Sequence, residues 1–180
     1  MKTLLWLALA ASMPVLARGQ IYTTSTGEIS FHSHTFLEDI DAVNQHVYAA
    51  IDPGKKNMAF ILRMKGFNFK RKLMQEHFNE NYVESDKYPN ASFEGTFTGE
   101  LDKSKEGSYP VTVKGKMTIH GVTRDVEAPG TMVIKDGNIL GTATFKLNPA
   151  DYKIDIPALV REKIEKENTV NVKIECKPKS

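Results

Sequence analysis

Five histidines and a single cysteine are the side chains of this chain best suited to chemistry. His32 and His34 alternate along one strand-like segment, so both imidazoles point to one face, an arrangement that can bridge a metal ion. No carboxylate partner is evident beside them, which favours a surface or polar-network role. His77 follows Glu76 in QEHFNENY, Gln75 to Tyr82. A metalloprotease helix needs two histidines on one face with the Glu between them, and here there is one. His46 and His120 stand alone. A metal-binding protein or metal-dependent enzyme using His32, His34, His46 and His77 is therefore kept only as an alternative. Cys176 has no second cysteine, which excludes a disulfide framework, a cysteine-based zinc site and an iron–sulfur cluster. It falls on an inward position of an alternating segment, where a thiol behaves as a small buried hydrophobe. The chain has no G-x-S-x-G elbow and no phosphate loop. The expectation is a protein that is not an enzyme, with no catalytic residue, metal or cofactor.

The elements that position these residues read as strands. Alternation of apolar and polar residues over four to eight positions marks a strand with one buried face. Ala91, Phe93, Gly95, Phe97, Gly99 and Leu101 form one inward set, and Val111, Val113, Gly115, Met117 and Ile119 another. Ile139, Gly141, Ala143, Phe145 and Leu147 follow, then Val170, Val172, Ile174 and Cys176. Further strands are expected over Glu28 to Thr35, Asp39 to Asp52, Met58 to Phe67, and Val122 to Lys135, with a bulge or bend at Pro129-Gly130. About eight antiparallel strands result, the number at which a sheet can close on itself around one small ligand. Asp52-Pro53-Gly54 and Asp136-Gly137 supply turns between neighbours. Two short helices are expected to cover the ends of the barrel. Met74, Phe78 and Tyr82 make an apolar stripe in Lys70 to Glu84, and Pro157 to Glu167 is the second segment. The basic run Lys70-Arg71-Lys72 reads as the solvated start of the first helix rather than a nucleic-acid footprint.

Length and charge agree with one domain. The chain has 180 residues, 24 Lys+Arg against 22 Asp+Glu, and 41% hydrophobic residues. That composition is too apolar and too balanced in charge for a disordered chain. Lys2, the apolar run Leu4 to Ala11 and the small-residue site at Ala17 follow the plan of a secretory signal peptide. Its apolar stretch is shorter than the roughly 20 residues that span a bilayer. The expectation is therefore a leader at 1–17, with cleavage after residue 19 as the alternative, and a single domain at 18–180. No cysteine follows the apolar run, so a periplasmic or secreted protein is expected rather than a lipoprotein. Stable membrane insertion is not expected, and the oligomeric state stays open between monomer and homodimer.

Glycines and aromatic residues share the inward faces. Gly95, Gly99, Gly115, Gly141 and Ala143 interleave with Phe93, Phe97, Met117 and Phe145. Small side chains either leave room for a dry tunnel or relieve crowding where strands coil sharply. In the first case, strands of about ten residues rising about 3.3 Å each suit a long, thin ligand.

Several of these segments resemble one family. Asp86-Lys87-Tyr88-Pro89 leading into Ala91-Ser92-Phe93, together with Met117-Thr118-Ile119-His120-Gly121-Val122-Thr123, resembles the YceI-like family of exported, polyisoprenoid-binding β-barrel proteins. The resemblance extends over nearly all of the chain beyond the leader. It implies an all-β fold, an eight-stranded antiparallel lipocalin-like β-barrel with one or two short covering helices. It also implies an elongated hydrophobic cavity that takes a prenyl chain such as a quinone tail. The family's Arg-x-x-[Phe/Tyr]-Gly motif is replaced here by Leu147-Asn148-Pro149-Ala150-Asp151-Tyr152-Lys153, without the Arg or the Gly. On this reading the chain binds or carries an amphipathic polyisoprenoid or other long apolar lipid. The expected ligand-binding wall is Phe60, Leu62 and Met64, then Phe93, Gly95 and Phe97, Met117 and Ile119, Gly141 and Phe145, with Phe78 and Tyr82 from the covering helix. A non-ligand interaction module with a filled core is the remaining alternative.

Overall fold

The computed structural model describes residues 19–34, 39–156 and 166–179. The leader-like segment 1–17 and all but the last two residues of the helix expected at Pro157 to Glu167 lie outside the described residues. Among these residues nine strands and one α-helix follow in chain order. They are β1 (Tyr22–Ser33), β2 (Ile40–Asp52), β3 (Asn57–Arg63), β4 (Asn68–Phe69), α1 (Lys72–His77), β5 (Asn90–Thr98), β6 (Gly107–Ile119), β7 (Val122–Lys135), β8 (Asn138–Leu147) and β9 (Asn168–Pro178). The eight long strands pair in the order β1-β9-β8-β7-β6-β5-β3-β2, and β2 pairs back onto β1. Every pairing is antiparallel, so the sheet is a closed barrel, with the two-residue β4 added along β2.

Turn chemistry sets the register. His120 and Gly121 have φ of 52° and 71°, and Asp136 and Gly137 have φ of 50° and 73°. Two consecutive left-handed residues make the tight hairpin turn whose twist matches that of the flanking strands. The Asp136-Gly137 turn was legible from its residue pair, and the β6–β7 ladder next to the other turn runs without a slip from Ile119–Val122 to Gly107–Ile134. No bulge occurs at Pro129-Gly130. The β7–β8 ladder begins only at Gly130–Ala143, so Pro129 stands outside it and its missing N–H interrupts nothing there. The bulges are in β1 instead, around Gly27.

Two expected elements have different bounds. β1 starts at Tyr22, six residues before the expected Glu28, because Thr23, Thr24 and Thr26 carry strand propensity without apolar alternation. The strand expected from Met58 to Phe67 ends at Arg63 and passes through a single 3-10 turn, Met64–Gly66, into β4. Two hydrogen bonds divert it. Asn44, fully buried on β2, donates through Nδ2 to the Arg63 carbonyl at 2.9 Å, and the Met64 N–H donates to the Pro89 carbonyl at 2.9 Å.

The two poles of the barrel differ in packing. At one pole the starts of β1, β3, β6 and β8 meet the ends of β2, β5, β7 and β9. There Ala49, Ile51, Phe97, Ile139 and Cys176 are at most 1% exposed and form one cluster with Met58, Val111, Met132, Ile134 and Ile174. The chain ends of the domain lie here too, where Lys179 N–H donates to the Ile21 carbonyl at 2.7 Å and the Gln20 amide to the Lys179 carbonyl at 2.8 Å. At the other pole α1, the 3-10 turn and the Pro149–Tyr152 turn lie over the strand ends around a second cluster that includes Val47, Leu62, Met64, Phe67 and Val83. The helical segment is shorter than its stripe suggested. α1 ends at His77 and continues as a wide turn, Phe78–Tyr82, with Val83 N–H bonded five residues back to the Phe78 carbonyl.

The inward glycines serve close packing. Gly95 and Gly115 face each other across β5 and β6. A Cβ on Gly95 would lie 2.3 Å from the Lys114 carbonyl oxygen and 2.6 Å from the Phe93 ring, which covers the pair. This is an aromatic side chain filling the space a glycine leaves on the sheet. Gly141 lies under Ile174 in the same way, with a Cβ-to-Cγ1 distance of 2.9 Å. Gly95→Ala is expected to lower stability by about 1–3 kcal/mol through overpacking against backbone, read as a fall in the thermal midpoint. An unchanged midpoint would mean that β5 and β6 do not approach this closely. Cys176 gives a second expectation: burial pushes its thiol up to about 12. Alkylation at pH 8 should label it only after denaturation. Between pH 9 and 12 the unfolded chain releases this proton while the folded chain holds it, so stability should decline as pH rises through that window.

Candidate ligand-binding cavity

The helical pole is hollow. A cavity of about 480 Å³ opens between the strand ends and α1, within the range of about 300–1,000 Å³ typical of small-molecule sites. From β3 and the turn after it come Phe60, Leu62 and Met64; from β5 and β6 come Phe93, Met117 and Ile119. Phe145 on β8 and the helical Phe78 and Tyr82 also border it. A smaller cavity of about 120 Å³ continues toward the packed pole, and Gly141 borders that one. Ile29, Phe60, Phe93, Met117, Phe145 and Val172 border both, and form the neck between them. Gly95 and Phe97 border neither. Phe97 is packed in the closed pole at 1% exposure, and Gly95 lies beneath Phe93. Cys176, expected as a small buried hydrophobe at an inward position, is in the packed cluster as well.

The richest part of the wall was not legible as such. Phe31 on β1, Phe67, Phe69 on β4 and Phe78 form one aromatic group with ring centroids 5.0 to 5.8 Å apart. Phe31 could have been read from the alternation Ile29, Phe31, Ser33, all of which face the cavity. Phe67 and Phe69 could not. In a continuous strand from Met58 they have the opposite parity to Phe60, Leu62 and Met64, and the Met64–Gly66 turn reverses it. Leu73, 61% exposed, and Ile61, 45% exposed, border the cavity from its solvent side and mark the mouth.

The histidines are held in pairs and ties. His32 lies opposite Asp41 across β1 and β2, with Nδ1 2.8 Å from its carboxylate, and His34 Nδ1 is 2.6 Å from Asp39. Both therefore have a carboxylate partner that sequence did not reveal, Asp41 through β1–β2 pairing and Asp39 from just before β2. His46 is exposed, and His77 sits at the end of α1 beside the cavity. His120 is half-buried between three groups. Its Nε2 is 2.8 Å from Glu84, its Nδ1–H donates to the Tyr152 carbonyl at 3.1 Å, and the Tyr88 ring packs on it at 4.5 Å. Among the described residues no three His, Cys, Asp or Glu side chains gather closely enough to hold a metal ion.

These ties connect the two segments that carried the family resemblance. Tyr88 lies against His120 and also occupies the space above Gly121, where a Cβ would come within 2.6 Å of the ring. The turn that departs from the family motif is nonetheless formed. Asn148 Oδ1 accepts the Ala150 N–H at 3.0 Å, and Lys153 takes the left-handed position, φ 55°, that a glycine would favour.

A closed antiparallel barrel packed at one pole and hollowed by an apolar cavity at the other defines a small-ligand-binding β-barrel. The chain belongs to the YceI-like family, whose domain model matches residues 21–176. Among solved structures it is similar to a polyisoprenoid binding domain from Saccharophagus degradans implicated in plant cell wall breakdown, with a TM-score of 0.75 and 12% identity over 88% of this chain and 98% of that one. It is also similar to Burkholderia cenocepacia BcnA, with a TM-score of 0.71 and 14% identity over 83% and 95% of the two chains. The Campylobacter jejuni YCEI protein gives 0.57 and 17% identity over 82% and 85%. No curated relative matches the sequence.

Val172→Phe is expected to close the neck, since its side chain borders both cavities. Titration with apolar fluorescent probes of two lengths should show a long-chain probe lose affinity about tenfold or more while a short one is affected less. Equal retention of both would place the long probe outside the neck.

Proposed function

We propose that this chain is an exported protein that binds or carries an amphipathic polyisoprenoid in the barrel, without covalent catalysis. The observation that carries this reading is the cavity itself, an apolar space with an exposed apolar mouth in a fold whose opposite pole is tightly packed. Each buried methylene contributes about 0.8 kcal/mol. About ten of them give a gross gain comparable to micromolar affinity before the chain is ordered. A tail can therefore be held by the wall alone, and the rings of Phe31, Phe67, Phe69 and Phe78 offer the adaptable apolar surface it needs.

Two further observations support the reading. The polyisoprenoid-binding domain from Saccharophagus degradans shares the fold, and the leader-like N-terminus fits export. The buried Cys176 thiol and the structurally engaged His120 are poor candidates for covalent chemistry. Native mass spectrometry of the protein purified without detergent should reveal a co-purifying lipid, and a fluorescent prenyl probe should bind the delipidated form. Absence of both would refute the proposal.

A further inference from the structure

One stretch of chain is apolar inside and cationic outside. From Arg63 to Lys72 the sequence reads RMKGFNFKRK, with Arg63, Lys65, Lys70, Arg71 and Lys72 and no carboxylate, in a chain whose 24 Lys+Arg nearly balance 22 Asp+Glu. Met64 and Phe67 are buried and Phe69 borders the cavity, while all five cations are exposed. The stretch runs from the end of β3 through β4 into α1, so it forms part of the roof of the cavity. Lys65 is offset by Asp86, with Nζ 2.6 Å from the carboxylate. Lys70 and Lys72 form no ion pair among the described residues. The next carboxylates along the chain, Glu76 and Glu80, come a turn or more later.

The mouth lies among these charges. Arg71 and Leu73 both border the cavity, and Lys70 and Lys72 flank them in the chain. Leu73 is 61% exposed and Ile61 45%, and Tyr48, 46% exposed, stands opposite Ile61 across β2 and β3. Arg63 follows Ile61 on the same outer face of β3. Exposed apolar side chains rimmed by cations suit a surface that is both apolar and anionic. A nucleic acid supplies the charge but no apolar layer. An anionic bilayer supplies both, and it is the phase in which a long apolar lipid resides. A carrier whose mouth stood away from that phase would have to draw each methylene of its ligand through water, which is unfavourable.

We propose that this rim docks on an anionic phospholipid bilayer, with Lys70 and Lys72 at the headgroups and Leu73 and Ile61 pressed toward the acyl chains. The contact is peripheral, and no strand or helix crosses. This docking rests on the lipid-binding reading above and names the surface from which the ligand enters. The packed pole and both chain ends then face away from the membrane.

The test is co-sedimentation of the protein with vesicles of phosphatidylcholine alone and of phosphatidylcholine mixed with phosphatidylglycerol, alongside titration of a soluble fluorescent prenyl probe. The parent protein should bind the mixed vesicles about tenfold or more tightly than the neutral ones, and added salt should weaken that binding. Each lysine near an anionic surface is worth about fivefold, so Lys70→Gln combined with Lys72→Gln should lower vesicle affinity about tenfold or more. Neither lysine borders the cavity, so the same variant should keep its affinity for the soluble probe. Leu73→Ser should lower vesicle affinity about fivefold by removing the apolar contact. Lys103→Gln combined with Lys105→Gln removes the same charge from the β5–β6 loop at the packed pole and should change nothing. An equal loss from both double variants would show that net charge alone drives the attraction, and would overturn the docking face. Equal binding to both kinds of vesicle would overturn it too. Probe binding without vesicle binding would overturn it while leaving the lipid-binding reading intact, and would point to an acidic protein as the partner of the lysines. Vesicle binding without probe binding would instead overturn the lipid-binding reading, and with it the passage of a ligand through this face.

Discussion

Hydrogen bonds between β1 and β2 close the sheet on itself, from Tyr22–Ile51 to Ser33–Ile40. Without that seam the remaining strands would form an open sheet with two long edges and no interior. With it, every strand gains an inside, and the inward residues of all eight are forced into one shared volume. Closure also makes the poles unequal. β3 follows β2 only from Tyr48–Ile61 to Asp52–Asn57, and β8 follows β7 only as far as Gly130–Ala143. At these two seams the strands part toward the helical pole, while β6 and β7 stay paired to their turn at Ile119–Val122, so the gaps beside β3 and β8 are left to be roofed.

The roof is built from short pieces, each tied to the barrel by polar contacts. Asn44 holds the carbonyl where β3 turns away, and Met64 N–H is held by Pro89. His120 joins the segment after α1 to the Pro149–Tyr152 turn through Glu84 and the Tyr152 carbonyl. Exterior pairs such as Lys114–Glu127 and Lys116–Asp125 are exposed and add little by comparison. The cavity is thus enclosed by an arrangement whose apolar inner surface and polar outer ties come from different residues of the same short segments.

Strand order and side-chain parity were legible because they depend on a two-residue period that a sequence displays directly. Phe60, Phe93, Met117 and Phe145 follow from it, and all border the cavity. What failed to show was anything decided across strands. Whether an inward glycine means space or contact depends on the opposite residue: Gly95 meets Gly115 and the Phe93 ring, so that position is filled. The partner of His32 arrives from β2 through register, and that of His34 is Asp39, from just before β2. The parity reversal at Met64–Gly66 depends on Asn44 and Pro89, each remote in sequence, and it moved Phe67 and Phe69 from the outside to the wall.

The contacts that bring Gln20 and Ile21 to Lys179 make the domain nearly a ring in its connectivity, with its seam at the packed pole. Domains whose ends meet at the surface tolerate being rejoined there and opened elsewhere. Here the geometry carries a further benefit: a tether, a fusion partner or a solid support attached at either end faces away from Leu73 and Ile61, so the molecule can be immobilised with its mouth still open to solvent.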